Sequence, residues 1–361
     1  MSRSLMISTL AGYPMNGTAD NETDFVYGSE LQGRGYATTT DLVFGYLTTL
    51  VGVVAFAGGT LNLYLIRRLK AFRNAFGFFW AVRTFGELGT DITFAVYAGP
   101  LTILQTTNIP PTLGIFVYQL SYTFAYIQCV MNLTIALNRS VAVWLPLRYK
   151  AIFNKKLCIF VAIFICCQAL CVVTLYFIFP CQHIGYGPRS YSNVFVKCSA
   201  NLVRDYSMLA YLLNKICFMV ACCGTGVINL TTFCKIMYIR IRAKARYNNK
   251  EFKRDVRLFS LAVVQDILMT IIVFSIIFFN NGQNLSIVGV LLSYDGLILI
   301  YIFNNASMAF CNPECRRFLF PSKSSAITHN YTTTIGGISS VILPAGLPTL
   351  PSITTASTRS R

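Results

Sequence analysis

The chain has 361 residues, of which 55% are hydrophobic and 12% are charged, whereas a soluble domain carries about 25% charged residues. One soluble core cannot bury so much apolar surface, so the composition excludes an ordinary soluble protein and indicates that lipid is the solvent. The net charge of +17 does not indicate nucleic-acid binding, because the basic residues lie between apolar runs rather than in one patch.

The first 40 residues are polar and contain two sequons for N-linked glycosylation, at Asn16 and Asn21. Sugars are attached to such triplets on the extracellular side of membrane proteins. We therefore expect an extracellular tail glycosylated at both residues. The alternative is that the two triplets occur by chance.

Seven apolar runs follow this tail, each near the ~20 residues that span a bilayer. A segment in lipid must satisfy its own backbone hydrogen bonds, so each run is predicted to be a helix. The predicted fold class is therefore all-α, a polytopic membrane protein with a bundle of seven transmembrane helices. The runs lie at about residues 42–66, 75–100, 112–138, 157–180, 206–234, 256–279 and 286–310.

The loops between the runs alternate in charge. The first, third and fifth loops are basic, whereas residues 100–111 and 280–283 contain no Lys or Arg. The positive-inside rule therefore places the N-terminus outside and the C-terminus inside. We expect an extracellular tail (1–40), a seven-helix domain (41–311) and a cytoplasmic tail (312–361) that is mostly disordered, because it is rich in Ser, Thr, Pro and Gly.

The sequence contains no metal-ligand cluster, phosphate-binding loop or nucleophile elbow. Its two histidines, His183 and His329, lie in an outer loop and in the C-terminal tail. We therefore expect neither catalysis nor a bound cofactor or metal.

Ionisable residues inside the apolar runs are costly and mark either structural ion pairs or functional sites. Arg83, Glu87 and Asp91 recur every four residues, so they lie on nearly one face of the second helix. Two interpretations are open. The three residues form an internal ion-paired ladder, or Asp91, which lies nearest the outside, helps to line a ligand pocket. Lys215 in the fifth run is a further pocket candidate, with pairing to Asp266 of the sixth run as the alternative.

The third run carries polar and aromatic residues at helical spacing. Tyr118, Gln119, Tyr122 and Tyr126 form either packing contacts or one wall of a pocket for a small molecule. Asp295, in the upper part of the seventh run, is another candidate for this pocket.

Two cysteines, Cys181 and Cys198, enclose a 16-residue loop that the predicted topology places outside the cell. An oxidising compartment favours a disulfide between them, which would stabilise the fold by ~3 kcal/mol in the chain-entropy model. Two free thiols are the alternative. Most other cysteines lie inside apolar runs, where they act as small hydrophobic residues.

The end of the third run, TIALNRSVAVWLPLRYKAIF at Thr134–Phe153, has a distinctive pattern. Arg139 lies where the apolar run ends, and Pro146 is predicted to stop the helix because it lacks an amide donor. A basic loop follows. An arginine that only extends to lipid headgroups is the alternative interpretation of Arg139.

Several stretches together resemble the nematode chemoreceptors of serpentine receptor class X, a branch of the rhodopsin-like G-protein-coupled receptors. The resemblance covers about residues 40–320. Its more specific parts are AFGFFWAVRTFGELGTDITFAVYAGPLTIL at 75–104 and IALNRSVAVWLPLRYKAIF at 135–153. Its weaker parts are the outer loop 179–198, RDVRLFSLAVVQD at 254–266, Tyr294-Asp295-Gly296 and FCNPECR at 310–316.

The resemblance implies a receptor that binds an unknown small ligand in an outward-facing cavity and activates a heterotrimeric G protein. Arg139 matches the arginine of the family's Asp/Glu-Arg-Tyr motif, which contacts the G protein. Asn138 and Ser140 replace the flanking acid and tyrosine, so the resting-state salt bridge of that acid is missing here.

The resemblance also implies where coupling residues lie on the inner face. Asn304 and Asn312 match two polar positions of the family's seventh-helix switch, whereas its proline and tyrosine are replaced. The basic connector between the fifth and sixth helices, which contains Arg254, is expected to form part of the G-protein surface and to attract anionic lipids. Pro146 completes the predicted coupling face.

The expected location is the plasma membrane, and a sensory cilium is the first place to look. A receptor for an endogenous peptide or amine is the alternative within the same class. A small transporter or channel is the alternative from another class, but the two halves of the chain show no internal repeat.

Overall fold

The computed structural model describes residues 26–178, 183–197, 208–242, 260, 263–275 and 287–320. This part of the chain is mostly helical, and its helices are α1 (Thr39–Arg68), α2 (Ala75–Thr93), α3 (Gly99–Leu104), α4 (Pro111–Trp144), α5 (Tyr149–Ile152), α6 (Lys155–Ile178), α7 (Met208–Arg242), α8 (Val263–Ser275), α9 (Ile287–Cys311) and α10 (Pro313–Leu319).

Each of the seven apolar runs contains helix, so the predicted all-α class is confirmed. Helices α1, α4, α6 and α7 are long and apolar enough to cross a membrane, and α8 and α9 contain shorter apolar segments. Two helices continue beyond the apolar runs that they contain, α4 to Trp144 and α7 to Arg242. These extensions pack together, because the Lys235 ammonium lies 4.6 Å from the centroid of the Trp144 ring.

The starts and ends of the helices follow from local sequence. Thr38 begins α1 with a capping box, in which its hydroxyl accepts from the Asp41 amide and the Asp41 carboxylate accepts from the Thr38 amide. Asn74 caps α2 by accepting from the Gly77 amide at 2.9 Å. Helix α4 ends at Trp144, two residues before Pro146, as predicted.

The second apolar run was predicted to end near Pro100, but the helical structure continues past this residue. A π-helical segment, Phe94–Ala98, joins α2 to α3, which ends at Leu104. Pro100 lacks an amide proton and its ring crowds the preceding turn, and a wider turn accommodates both effects. The π-helical segment turns Phe94 and Tyr97 towards the interior of the bundle.

Close packing between α2 and α4 depends on glycine. A Cβ atom at Gly89 would lie 2.1 Å from the Phe124 ring, so a larger residue would force the two helices apart. The core beside this contact contains Phe79, Tyr126 and Ile135 with residues of α6.

A β-hairpin covers the end of the bundle at which α1 begins. Strand β1 (Ile184–Gly187) pairs antiparallel with β2 (Ser192–Phe195), and Ile184 lies opposite Phe195. The hairpin packs on α4 and on the segment that precedes α1. Apolar runs alone did not predict these strands.

Candidate functional site

A cavity of about 120 Å³ lies between α2, α4, α7, α8 and α9, directly below the hairpin. Aromatic side chains are the largest group in its wall, and small hydroxyl side chains supply part of the rest. The aromatic lining residues are Phe94, Tyr97, Tyr118, Tyr122, Tyr186, Phe218 and Tyr301, and the hydroxyl residues are Thr90, Thr93 and Ser121.

Two of the predicted pocket residues, Tyr118 and Tyr122, line this cavity. The Tyr122 ring meets Phe218 of α7 at a centroid distance of 5.7 Å, which joins α4 to α7 at the cavity wall. Gln119 is buried, with 3% of its surface exposed, but it does not line the cavity. Tyr97 was not predicted from the sequence, because its position depends on the π-helical segment. Within the described part of the chain its hydroxyl has no hydrogen-bond partner.

A second, smaller pocket of about 10 Å³ surrounds Asp295. Both carboxylate oxygens of Asp295 lie 3.0 Å from the Thr48 hydroxyl, which donates to them. The small pocket shares Phe94, Ala98 and Tyr186 with the larger cavity. The predicted candidate Asp295 therefore lies directly beside the cavity rather than in its wall.

Tyr186 of the hairpin reaches into the bundle between the two pockets. Its hydroxyl lies 2.6 Å from the Thr102 hydroxyl. Since Thr102 donates its own proton to the Ala98 carbonyl at 2.8 Å, Tyr186 is the donor of this pair. Burial, and to a smaller extent the charge of Asp295, raises the pKa of Tyr186, so its phenol stays neutral.

The hairpin is fixed to α1 through Asp41, which is fully buried. The Tyr191 hydroxyl donates to this carboxylate at 2.5 Å, and Arg34 donates to both oxygens at 3.0 and 3.1 Å. Burial and the Asp41 carboxylate raise the pKa of Tyr191. The capping box marks Asp41 in the sequence, but no local signal identifies Tyr191 as its partner.

The charged residues of α2 separate into two environments. Arg83 and Glu87 form an ion pair at 2.8 Å, and Asn304 of α9 donates to the same Glu87 oxygen at 3.1 Å. The prediction of an ion-paired ladder is therefore correct for these two residues. Asp91 is fully buried, lines neither pocket, and has no hydrogen-bond partner within the described ranges.

Asp266 of α8 has a partner that the sequence did not predict. Asn229 of α7 donates to its carboxylate at 2.5 Å. The side chain of Lys215 lies outside the described residues, so its pairing with Asp266 stays an open alternative.

At the other end of the bundle, Arg139 packs against two aromatic rings of α2. Its guanidinium carbon lies 5.3 Å from the Phe76 centroid and 5.8 Å from the Trp80 centroid. No acidic residue of the described ranges forms an ion pair with Arg139. Asn138 is buried and accepts from the Tyr149 hydroxyl at 3.2 Å.

A family model for the serpentine type 7TM GPCR chemoreceptor Srx matches residues 46–314. The chain belongs to the Srx family. The resemblance found in the sequence is thereby confirmed, as is the seven-helix membrane fold. The protein is therefore a multi-pass membrane protein with the general role of a serpentine chemoreceptor. The Srx family is a receptor family rather than an enzyme family. No curated protein matches the chain.

Of the remaining predicted site residues of this Srx receptor, some lie in described helices and others lie outside the described ranges. Asn312 caps α10, where it accepts from the Glu314 amide at 3.0 Å, and so does not lie inside the seventh helix. Lys215 belongs to α7, but its side chain is outside the described set. The residues that lie entirely outside the described ranges are Asn16, Asn21, Cys181, Cys198 and Arg254, so the glycosylation sites and the disulfide stay predictions.

Proposed function

We propose that this Srx receptor binds a small external chemical in the cavity below the hairpin and activates a heterotrimeric G protein through the inner face around Arg139. The observation that carries the proposal is the aromatic cavity itself, which lies at the opposite end of the bundle from Arg139. Concave, mostly apolar sites with a few polar groups are typical of small-molecule binding.

The size and lining of the cavity favour a compact ligand. An engineered apolar cavity of about 150 Å³ binds benzene, and the cavity here has about 120 Å³. A molecule with a single ring or a short branched chain fits this volume. The hydroxyls of Thr90, Ser121 and Tyr97 supply hydrogen bonds that orient it.

Helix α8 connects the ligand end with the coupling end. Met269 and Val273 line the cavity, and Asp266, about one turn from Met269, accepts a hydrogen bond from Asn229 of α7 at 2.5 Å. A ligand that binds more tightly when α8 has shifted therefore favours a state in which the contact between α7 and α8 is rearranged. This is a population shift between two arrangements of the helices.

The orientation in the membrane follows the charge pattern. The hairpin and the N-terminal tail lie outside, and the basic loops around Arg139 lie inside, where they meet anionic lipids and the G protein. The proposed location is the plasma membrane of a sensory cilium.

A cavity-filling variant tests this assignment. We expect Ala125→Leu to abolish responses to a panel of small volatile chemicals, because the added carbon atoms occupy the ligand volume next to Ala125. The measurement is G-protein nucleotide exchange by cells or membranes that contain the receptor at equal surface levels. Ala57→Leu, at an exposed position of α1, is the matched control. Unchanged responses of Ala125→Leu would contradict binding in this cavity.

A further inference from the structure

The carboxylate of Asp295 is buried with few hydrogen-bond donors. Only 6% of the residue is exposed, and a carboxylate offers about four acceptor positions. The Thr48 hydroxyl has one proton to donate and lies 3.0 Å from both oxygens. No lysine, arginine or histidine of the described ranges forms an ion pair with Asp295. A buried charge of this kind is costly unless it is paired.

The other hydroxyl groups of the small pocket do not supply the missing donors. Thr102 donates to the Ala98 carbonyl, and Tyr186 donates to Thr102. The Tyr191 hydroxyl donates to Asp41 at 2.5 Å. Each of these protons is already used, so the remaining acceptor positions of Asp295 face the small pocket without a donor from its described lining.

The walls of the small pocket suit a positive charge. Four aromatic residues line it together with Asp295, namely Phe44, Phe94, Tyr186 and Tyr191. Aromatic rings stabilise a desolvated cation through their negative faces. The volume of about 10 Å³ is near that needed for a single water-sized group, which is also about the size of an ammonium head.

We propose that the ligand is a small primary amine, whose ammonium group binds Asp295 and whose apolar body occupies the larger cavity. This inference rests on the proposed function and names the ligand class for the same site. The two pockets meet at Phe94, Ala98 and Tyr186, so one short molecule reaches both. Asp91, a second buried carboxylate without an ion pair or hydrogen-bond partner among the described residues, lines neither pocket and does not serve this role.

The test compares amines with neutral molecules of the same shape. The probes are 2-phenylethylamine and 3-methylbutylamine, with 2-phenylethanol and 3-methylbutanol as the matched alcohols. Binding to the purified full-length receptor in lipid nanodiscs is measured by thermal stabilisation over a range of probe concentrations. We expect the amines to bind the wild-type receptor and to bind Asp295→Asn about tenfold or more weakly, because a charge-assisted hydrogen bond is lost.

Two controls make the result specific. The alcohols should bind wild type and Asp295→Asn alike, which also shows that this variant is folded. Asp91→Asn should bind the amines as wild type does. The proposal is overturned if neither amine binds, if Asp295→Asn binds them unchanged, or if sodium chloride stabilises the receptor through Asp295 as much as the amines do.

The binding readout requires no G protein, so the two proposals fail separately. Amine binding that depends on Asp295 but produces no nucleotide exchange would contradict the proposed function and leave the ammonium site standing. Exchange in response to neutral volatile chemicals alone would support the proposed function and overturn the amine proposal.

Discussion

A single carboxylate, Asp41, joins three parts of the chain at the end of the bundle where α1 begins. It accepts hydrogen bonds from Thr38 at the start of α1, from Arg34 in the preceding segment and from Tyr191 of the hairpin. The residue is fully buried, so water does not replace a donor that is lost. The position of the hairpin above the cavity therefore depends on this residue.

Removal of one hydroxyl group tests the role of Asp41. We expect Tyr191→Phe to lower the free energy of unfolding by about 1.5–3 kcal/mol, the range for a hydrogen bond to a charged group. The same change should speed hydrogen exchange in the hairpin. Tyr46→Phe, at an exposed position of α1, should have little effect. Equal melting temperatures for wild type and Tyr191→Phe would show that the contact does not hold the hairpin.

Some residues of the site could be predicted from the sequence, and others could not for a physical reason. Tyr118 and Tyr122 were found because they recur at helical spacing on a helix that packs inside the bundle. Asp91 and Asp295 were both candidates for the ligand pocket, because both are acids in apolar runs. Which of them faces a pocket depends on how each helix is rotated against its neighbours, and sequence spacing within one helix does not fix that rotation.

Two aromatic residues of α2 pack against Arg139, next to which no acid stands in the sequence. Phe76 and Trp80 lie one turn apart on α2, and both rings lie within 6 Å of the Arg139 guanidinium. Arg83 lies 5.2 Å from the same Trp80 ring. We therefore expect stacking on α2, rather than an ion pair with a neighbour in α4, to restrain Arg139 in the absence of ligand.

Replacement of one aromatic ring of this contact should release Arg139. We expect Phe76→Leu to raise nucleotide exchange without ligand about fivefold, because a cation–π contact contributes about 1 kcal/mol. Phe78→Leu is the matched control, since Phe78 is partly exposed and packs against Phe79 rather than Arg139. Basal exchange that is the same in both variants and in wild type would argue against this restraint.

At the level of elements, the apolar runs predicted the helices well, but not the hairpin or the π-helical segment. All four residues of β1 are buried, so the strand lacks the alternating pattern that marks a half-buried strand in a sequence. The π-helical segment depends on Pro100 and on tertiary contacts with α1. Gly99 illustrates this, because a Cβ atom there would lie 2.1 Å from the Thr49 hydroxyl oxygen.

Across the whole molecule, the two candidate sites lie at opposite ends of one bundle. One end holds the cavity and Asp295 under the hairpin. The other end holds Arg139 against Phe76 and Trp80 of α2. The chain belongs to the Srx chemoreceptor family, and the proposed function requires that the two ends be coupled.

Nucleotide exchange on a purified heterotrimeric G protein, catalysed by the receptor in lipid nanodiscs, tests this coupling. The comparison is between wild type, Arg139→Ala and Lys197→Ala, a basic residue that is exposed after β2 at the opposite end of the bundle. We expect wild type and Lys197→Ala to respond to small chemicals that bind the cavity, and Arg139→Ala to bind the same chemicals without stimulating exchange. Undiminished exchange by Arg139→Ala would show that Arg139 has no part in coupling.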